Sequence, residues 1–161
     1  APEGVYQNLF IPGQKASELI ADKRIKAVAL TGSEPAGASV AAEAGKYIKK
    51  STLELGGSDA FIVLSDANID EAVEAAVNGR MWNSGQVCTS PKRIIVEESI
   101  ADSFLEKVKT KFATIKAGNP MDPATTLAPL SSDKAVEDDI KQVQKAVAEG
   151  ATLVLGDKRI D

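Results

Sequence analysis

Four short apolar runs punctuate this chain: Ala27–Leu30 (AVAL), Thr52–Leu55 (TLEL), Phe61–Leu64 (FIVL) and Ile94–Glu97 (IIVE). Stretches of helical spacing separate them. One runs from about Pro35 to Ile48; another carries Ile69, Ala72, Val73, Ala76, Val77 and Met81, which return every three or four positions and form one apolar face. Strand, helix, strand, helix, strand is the pattern of a parallel sheet with covering helices, and crossovers of this length suit βαβ units. The fold class is therefore α/β with parallel strands. Both helix starts are marked: Ser33 can cap the first with Pro35 in its first turn, and Asn68 can cap the second with Glu71 three residues on. Outside this core the reading is an extended VYQNLFI segment at 5–11 and a short amphipathic run through Ala16, Leu19 and Ile20. Beyond IIVE come a helix carrying Phe104, Leu105, Val108, Phe112 and Ile115, and another carrying Val136, Ile140, Val143 and Val147. Gly150 ends that helix and ATLVL opens a further strand. The least disruptive boundary falls near Gly57, dividing the chain into 1–57 and 58–161.

Composition removes whole classes of function. With 19 basic and 23 acidic residues and only 4% aromatics, the chain has neither the electrostatic footprint nor the stacking platform of a nucleic-acid binder. No apolar run approaches a membrane span. One cysteine excludes an internal disulfide, and one cysteine without any histidine excludes the familiar zinc sites; no metal is expected. The chain opens on APEGVYQ, with no basic-then-apolar signal segment and no targeting tail, and closes on ATLVLGDKRID. The expectation is a cytoplasmic protein and a segment cut from a longer one.

In a parallel sheet the carboxyl ends of the strands share an edge, and ligands bind outside it. The runs ending in Thr31-Gly32-Ser33 and in Glu54-Leu55-Gly56-Gly57 should thus place their turns side by side. Gly32 lets a ligand approach the backbone, and the following helix offers unpaired N–H groups to a phosphate. A tight turn with a helix packed closely on the sheet would use Gly32 and Gly37 as well, and both readings stand. Glu54 lies between Leu53 and Leu55, where a carboxylate needs water or a partner. It is either an outward-facing residue of a half-exposed strand or, with Gly56-Gly57 leaving space above it, a general base in the crevice.

Cys88 has two readings of its own. A lone cysteine is often a small buried hydrophobe, yet this one sits in NSGQVCTSP among residues that read as loop. As an exposed thiol it would be a nucleophile. Absence of histidine rules out a Cys-His or Ser-His-Asp site within the chain. Any activation must come from a carboxylate, a helix end, a nearby cation such as Lys92 or a bound cofactor. Lys92 and Arg93 themselves read as solvated charges at the start of a strand.

Taken in order, TGSEPAG, ELGG and GQVC resemble the aldehyde dehydrogenase superfamily, as does the separation of 88 − 54 = 34 residues between glutamate and cysteine. The resemblance, of the succinate-semialdehyde dehydrogenase-like kind, continues through CTSPKRIIVEESIADSFLEKV, KAGNPMDPATTLAPL and EGATLVLG. It implies a later, Rossmann-like portion of an NAD(P)-binding domain over 1–57, followed by the beginning of an α/β catalytic domain over 58–161. It also implies oxidation of a small-molecule aldehyde to a carboxylic acid with NAD or NADP, in a full-length homodimer or homotetramer. Cys88 matches the family nucleophile, Glu54 the general base, Gly32 and Ser33 the turn beside the cofactor phosphates, Gly37 the helix that follows, and Leu55 the residue beside the nicotinamide. The backbone N–H of Cys88 matches an oxyanion donor. The oxyanion asparagine and the residue gripping the adenosine ribose lie upstream of this segment in such enzymes, and a further ribose-binding glutamate lies downstream. Glu34-Pro35 is a less usual continuation of the TGS turn. Two alternatives stand beside the resemblance: an acylating enzyme that passes its thioester to coenzyme A, against which Glu54 argues, and a catalytically silent binding fragment.

Overall fold

The computed structural model describes residues 2–156 and 158–160. The chain divides into two compact units, Ala1–Gly57 and Ser58–Asp161.

In the first unit, α1 (Ala16–Ala21) precedes β1 (Ala27–Thr31), α2 (Glu34–Lys46) and β2 (Lys50–Glu54). The strands pair in parallel, from Ala27 opposite Lys50 to Thr31 opposite Glu54. Parallel neighbours need a long crossover, which α2 supplies. Its start is set locally: the Ser33 hydroxyl accepts the Ala36 N–H at 3.4 Å, and Pro35 occupies the first turn, where its missing N–H is no loss. Val28, Leu30, Ser51 and Leu53 are half-buried, while the alternate residues are exposed, so one face of the pair is covered and the other open. The helix ends two residues before Ile48. The N–H of Lys49 returns to the Ala44 carbonyl and that of Ile48 to Gly45, with Ile48 in the left-handed region at φ 53°. This is a Schellman stop without its usual glycine.

The second unit repeats the plan with β3 (Asp59–Val63), α3 (Ile69–Met81) and β4 (Pro91–Val96), again parallel. Asn68 caps α3 by accepting from the N–H groups of Asp70 and Glu71, and its amide donates to the Glu71 carboxylate at 3.0 Å. Helix α4 (Glu98–Phe112) lays Phe104 against Val63, Val73, Ala76 and Val77, which together form the core of the unit. A connector then leads to α5 (Asp133–Ala148), capped by Ser132 and carrying no buried residue. The β3–β4 ladder slips at its start: Asp59 pairs with Pro91 but Ala60 with Arg93, leaving Lys92 as an extra residue on β4.

Two expected strands do not form. Residues 5–11 and 151–155 have no strand assignment, and Val5, Tyr6, Leu9, Phe10, Leu153, Val154 and Leu155 are exposed. A strand exists only where a neighbour receives its N–H and C=O groups, and neither segment has one among the described residues. No helix of the described residues is long and apolar enough to cross a membrane.

Candidate active site

The first unit gathers Gly32, Ser33, Gly37, Glu54 and Leu55 at the carboxyl edge of its strand pair. The Gly32 N–H donates to the Glu54 carbonyl at 3.0 Å, which joins the two turns. Glu54 ends β2 beside Thr31; both are exposed, and the Glu54 carboxylate makes no hydrogen bond or ion pair among the described residues. It lies out of phase with half-buried Leu53, so its alternation with apolar neighbours is that of an outward-facing strand residue. Gly37 is buried, and a Cβ there would fall 2.7 Å from Leu55 Cδ2. Its bareness seats Leu55 under the first turns of α2.

A cofactor phosphate fits the Gly32–Ser33 turn on two grounds. A Cβ on Gly32 would meet only Leu30, at an ordinary 3.7 Å, so internal packing does not demand glycine there and the backbone is left open from outside. The N–H groups of Ser33 and Glu34 have no acceptor among the described residues and lie at the positive end of a helix. The exposed Glu34 carboxylate is the opposing charge at this turn.

Cys88 lies in the second unit and is exposed, which overturns its reading as a buried hydrophobe. The turn that carries it is heavily tied. After α3 the backbone enters the left-handed region for three successive residues, Asn83 (φ 49°), Ser84 (φ 57°) and Gly85 (φ 78°). Such conformations cost non-glycine residues and persist only where surrounding contacts hold them. Here the Asn83 amide donates to the Gln86 carbonyl at 3.2 Å, and the Ser84 hydroxyl to Ala128 at 2.6 Å. The Gln86 side chain bridges the Asn83 carbonyl and the Ser131 N–H. At Gly85 a side chain would land on the Arg80 guanidinium, which donates to the Gly85 carbonyl at 3.2 Å. Ser90 is buried beneath the turn and donates to the Gly79 carbonyl at 2.8 Å. Lys92 closes the arrangement, its ammonium donating to the carbonyls of Val87 at 2.7 Å and Cys88 at 2.8 Å. A thiol so mounted can meet an electrophile without its backbone having to reorganise.

Lys92 is thus not the solvated charge its position suggested. It is half-buried, whereas Arg93 is exposed and donates to the Ser58 carbonyl at 2.9 Å. Arg80 and Ser90 were equally missed. Only the crowding of Ser90 and Lys92 just after the cysteine could have signalled them.

The model of a family described as "Aldehyde dehydrogenase family" matches residues 1–161. Over 160 residues the chain is 48% identical to the succinate-semialdehyde dehydrogenase [NADP(+)] of Mycobacterium avium (strain 104), covering 99% of this chain and 34% of that protein. Among solved structures, Gox0499 matches at a TM-score of 0.95 with 55% identity, covering 100% of this chain and 35% of the other. The succinic semialdehyde dehydrogenase of Streptococcus pyogenes, solved in complex with NADP+ as the cofactor, matches at 0.91 with 53% identity, covering 96% and 34%. The chain spans about a third of the length of the curated relatives it matches.

Proposed function

Because the chain belongs to the aldehyde dehydrogenase family, we propose that it carries the nucleophile, the general base and part of the cofactor edge of an enzyme that oxidises succinate semialdehyde to succinate with NADP+. The observation that carries this reading is the exposed Cys88 thiol on a turn whose backbone is pinned on every side. In this reading residues 1–57 are a portion of the NAD(P)-binding domain and 58–161 a portion of the catalytic domain. Gly32, Ser33 and Gly37 border the cofactor phosphates, and Leu55 lies beside the nicotinamide. The bound cofactor supplies the hydride acceptor.

The work of this chain's residues follows from their chemistry. The Cys88 sulfur, as thiolate, bonds to the aldehyde carbon, and the carbonyl π pair moves onto oxygen. The Cys88 N–H, which has no acceptor among the described residues, donates to that oxyanion. Once oxidised, the carbon is held as a thioester. Glu54 takes a proton from a water molecule, the resulting hydroxide adds to the thioester carbon, and the C–S bond breaks to return the thiolate. Aldehyde, oxidised cofactor and water become carboxylic acid, reduced cofactor and a proton. Splitting the reaction into acylation and deacylation replaces one difficult step by two easier ones.

In the protein that carries this chain, Cys88→Ala should abolish NADP+ reduction with succinate semialdehyde, and retained turnover would defeat the proposal. Glu54→Gln should keep the pre-steady-state burst of reduced cofactor while slowing steady-state turnover by about 10²- to 10⁴-fold. Equal loss in both phases would remove Glu54 from the role of base.

A further inference from the structure

The Lys92 ammonium grips two consecutive carbonyls, and one of them belongs to the nucleophile itself. In a trans peptide the C=O and N–H point in opposite directions, and no cis peptide occurs among the described residues. Drawing the Val87 carbonyl toward Lys92 therefore turns the N–H of the same peptide unit, that of Cys88, directly away from the ammonium. Drawing the Cys88 carbonyl does the same to the Thr89 N–H. The Val87 carbonyl also accepts the Ser90 N–H at 3.1 Å, so this peptide plane is fixed by two donors. Neither the Cys88 nor the Thr89 N–H has an acceptor among the described residues. Lys92 is, in addition, the residue that the slipped register of β3 and β4 leaves without an opposite number. Irregularities of this kind re-aim side chains beside functional sites.

We propose that Lys92 is a positioning residue: by holding the Val87 and Cys88 carbonyls it aims the Cys88 N–H at the oxyanion formed when the thiolate adds to a carbonyl. This rests on Cys88 being the nucleophile. The role differs from that of a cation beside the thiol, because it acts through a peptide plane and affects the adduct oxygen rather than the sulfur.

The test uses the protein that carries this chain and a probe that needs no cofactor. 1,1,1-Trifluoroacetone adds to a thiolate through a new C–S bond, placing the carbonyl electron pair on oxygen, and the adduct is followed by fluorine NMR. In Lys92→Met the adduct should form at least about tenfold more weakly, and kcat should fall by about 10- to 10³-fold, the upper figure being loss of a complete oxyanion donor. KM should stay within threefold and iodoacetamide alkylation of Cys88 within threefold, since alkylation develops no oxyanion. Lys92→Arg, which can still donate to both carbonyls, should recover most of the adduct affinity. The proposal is overturned if Lys92→Met keeps both adduct affinity and kcat within twofold of wild type. It is equally overturned if adduct affinity, alkylation rate and melting temperature fall together and Lys92→Arg restores none of them. Failure of the ketone to add to Cys88 in the wild type would instead sink the nucleophile assignment, and this inference with it.

Discussion

Ser90 offers the sharpest check on how the turn is anchored. It is 3% exposed, and its hydroxyl donates to the Gly79 carbonyl at 2.8 Å with the Arg80 carbonyl at 3.2 Å. Both carbonyls belong to the last turn of α3, where a helix has no N–H of its own to offer. Ser90→Ala removes that donor and leaves the half-buried Gly79 carbonyl without it. The cost of such a group is about 1–3 kcal/mol, so about 2 kcal/mol is expected. The Arg80 contact to the Ser90 hydroxyl, at 3.5 Å, is too long to change the figure. In the protein that carries this chain the loss is read as a drop of about 2 kcal/mol in unfolding free energy. Ser99→Ala is the control. Its hydroxyl also donates, to Glu97 at 3.3 Å, but from an exposed position, and its loss should stay within about 0.5 kcal/mol. Thermal and urea unfolding followed by circular dichroism measure both variants. If Ser90→Ala shifts the midpoint no more than Ser99→Ala, the buried anchor is not what holds the turn to α3.

Two further outcomes are expected. Ile48 is 95% exposed in the left-handed region, a conformation that costs a residue with a Cβ about 1–2 kcal/mol, so Ile48→Gly should raise the urea midpoint even after glycine's greater unfolded-state entropy is subtracted; an unchanged or lower midpoint would contradict the strain. The Ser65 N–H, with the hydroxyls of Ser65 and Ser99, holds the Glu97 carboxyl below its ordinary value of 4.5. A depressed folded value stabilises above the unfolded one and is lost as pH falls through the folded one, so the stability gap between wild type and Glu97→Gln should be full above pH 4.5 and close in stronger acid. Urea titrations across that range would refute this if the gap were constant.

What was legible in the sequence was what neighbours along the chain determine. Ser33 with Pro35 and Asn68 with Glu71 announce their helices because a cap needs only the residues within one turn of it. The adjacency of the Gly32 and Glu54 turns was also legible, since parallel strands must bring their carboxyl ends to one edge. The misses concern pairings and chain reversals that composition and periodicity do not announce. VYQNLFI and ATLVL carry strand composition, but a strand is a pairing, and pairing is not a local property. Ile48 continues the helical spacing of α2, yet the chain must reverse there to enter β2. Lys92 reads as a surface charge until the turn folds back and presents the Val87 and Cys88 carbonyls to it. Ser90 acquires its partners only when β4 returns beside the end of α3.

The two parallel ladders also bear on how the protein is made. Among the described residues neither unit contains a hairpin, so none of these strands finds its mate among residues synthesised just before it. Asp59 must wait for Pro91, with all of α3 and the segment bearing Cys88 already in place between them. The setting of Cys88 is therefore not wholly a local motif that could precede the rest. The bonds from Ser90 to Gly79 and Arg80 form only when β4 returns beside the end of α3, so a lesion that delays that closure should delay this anchoring of the turn.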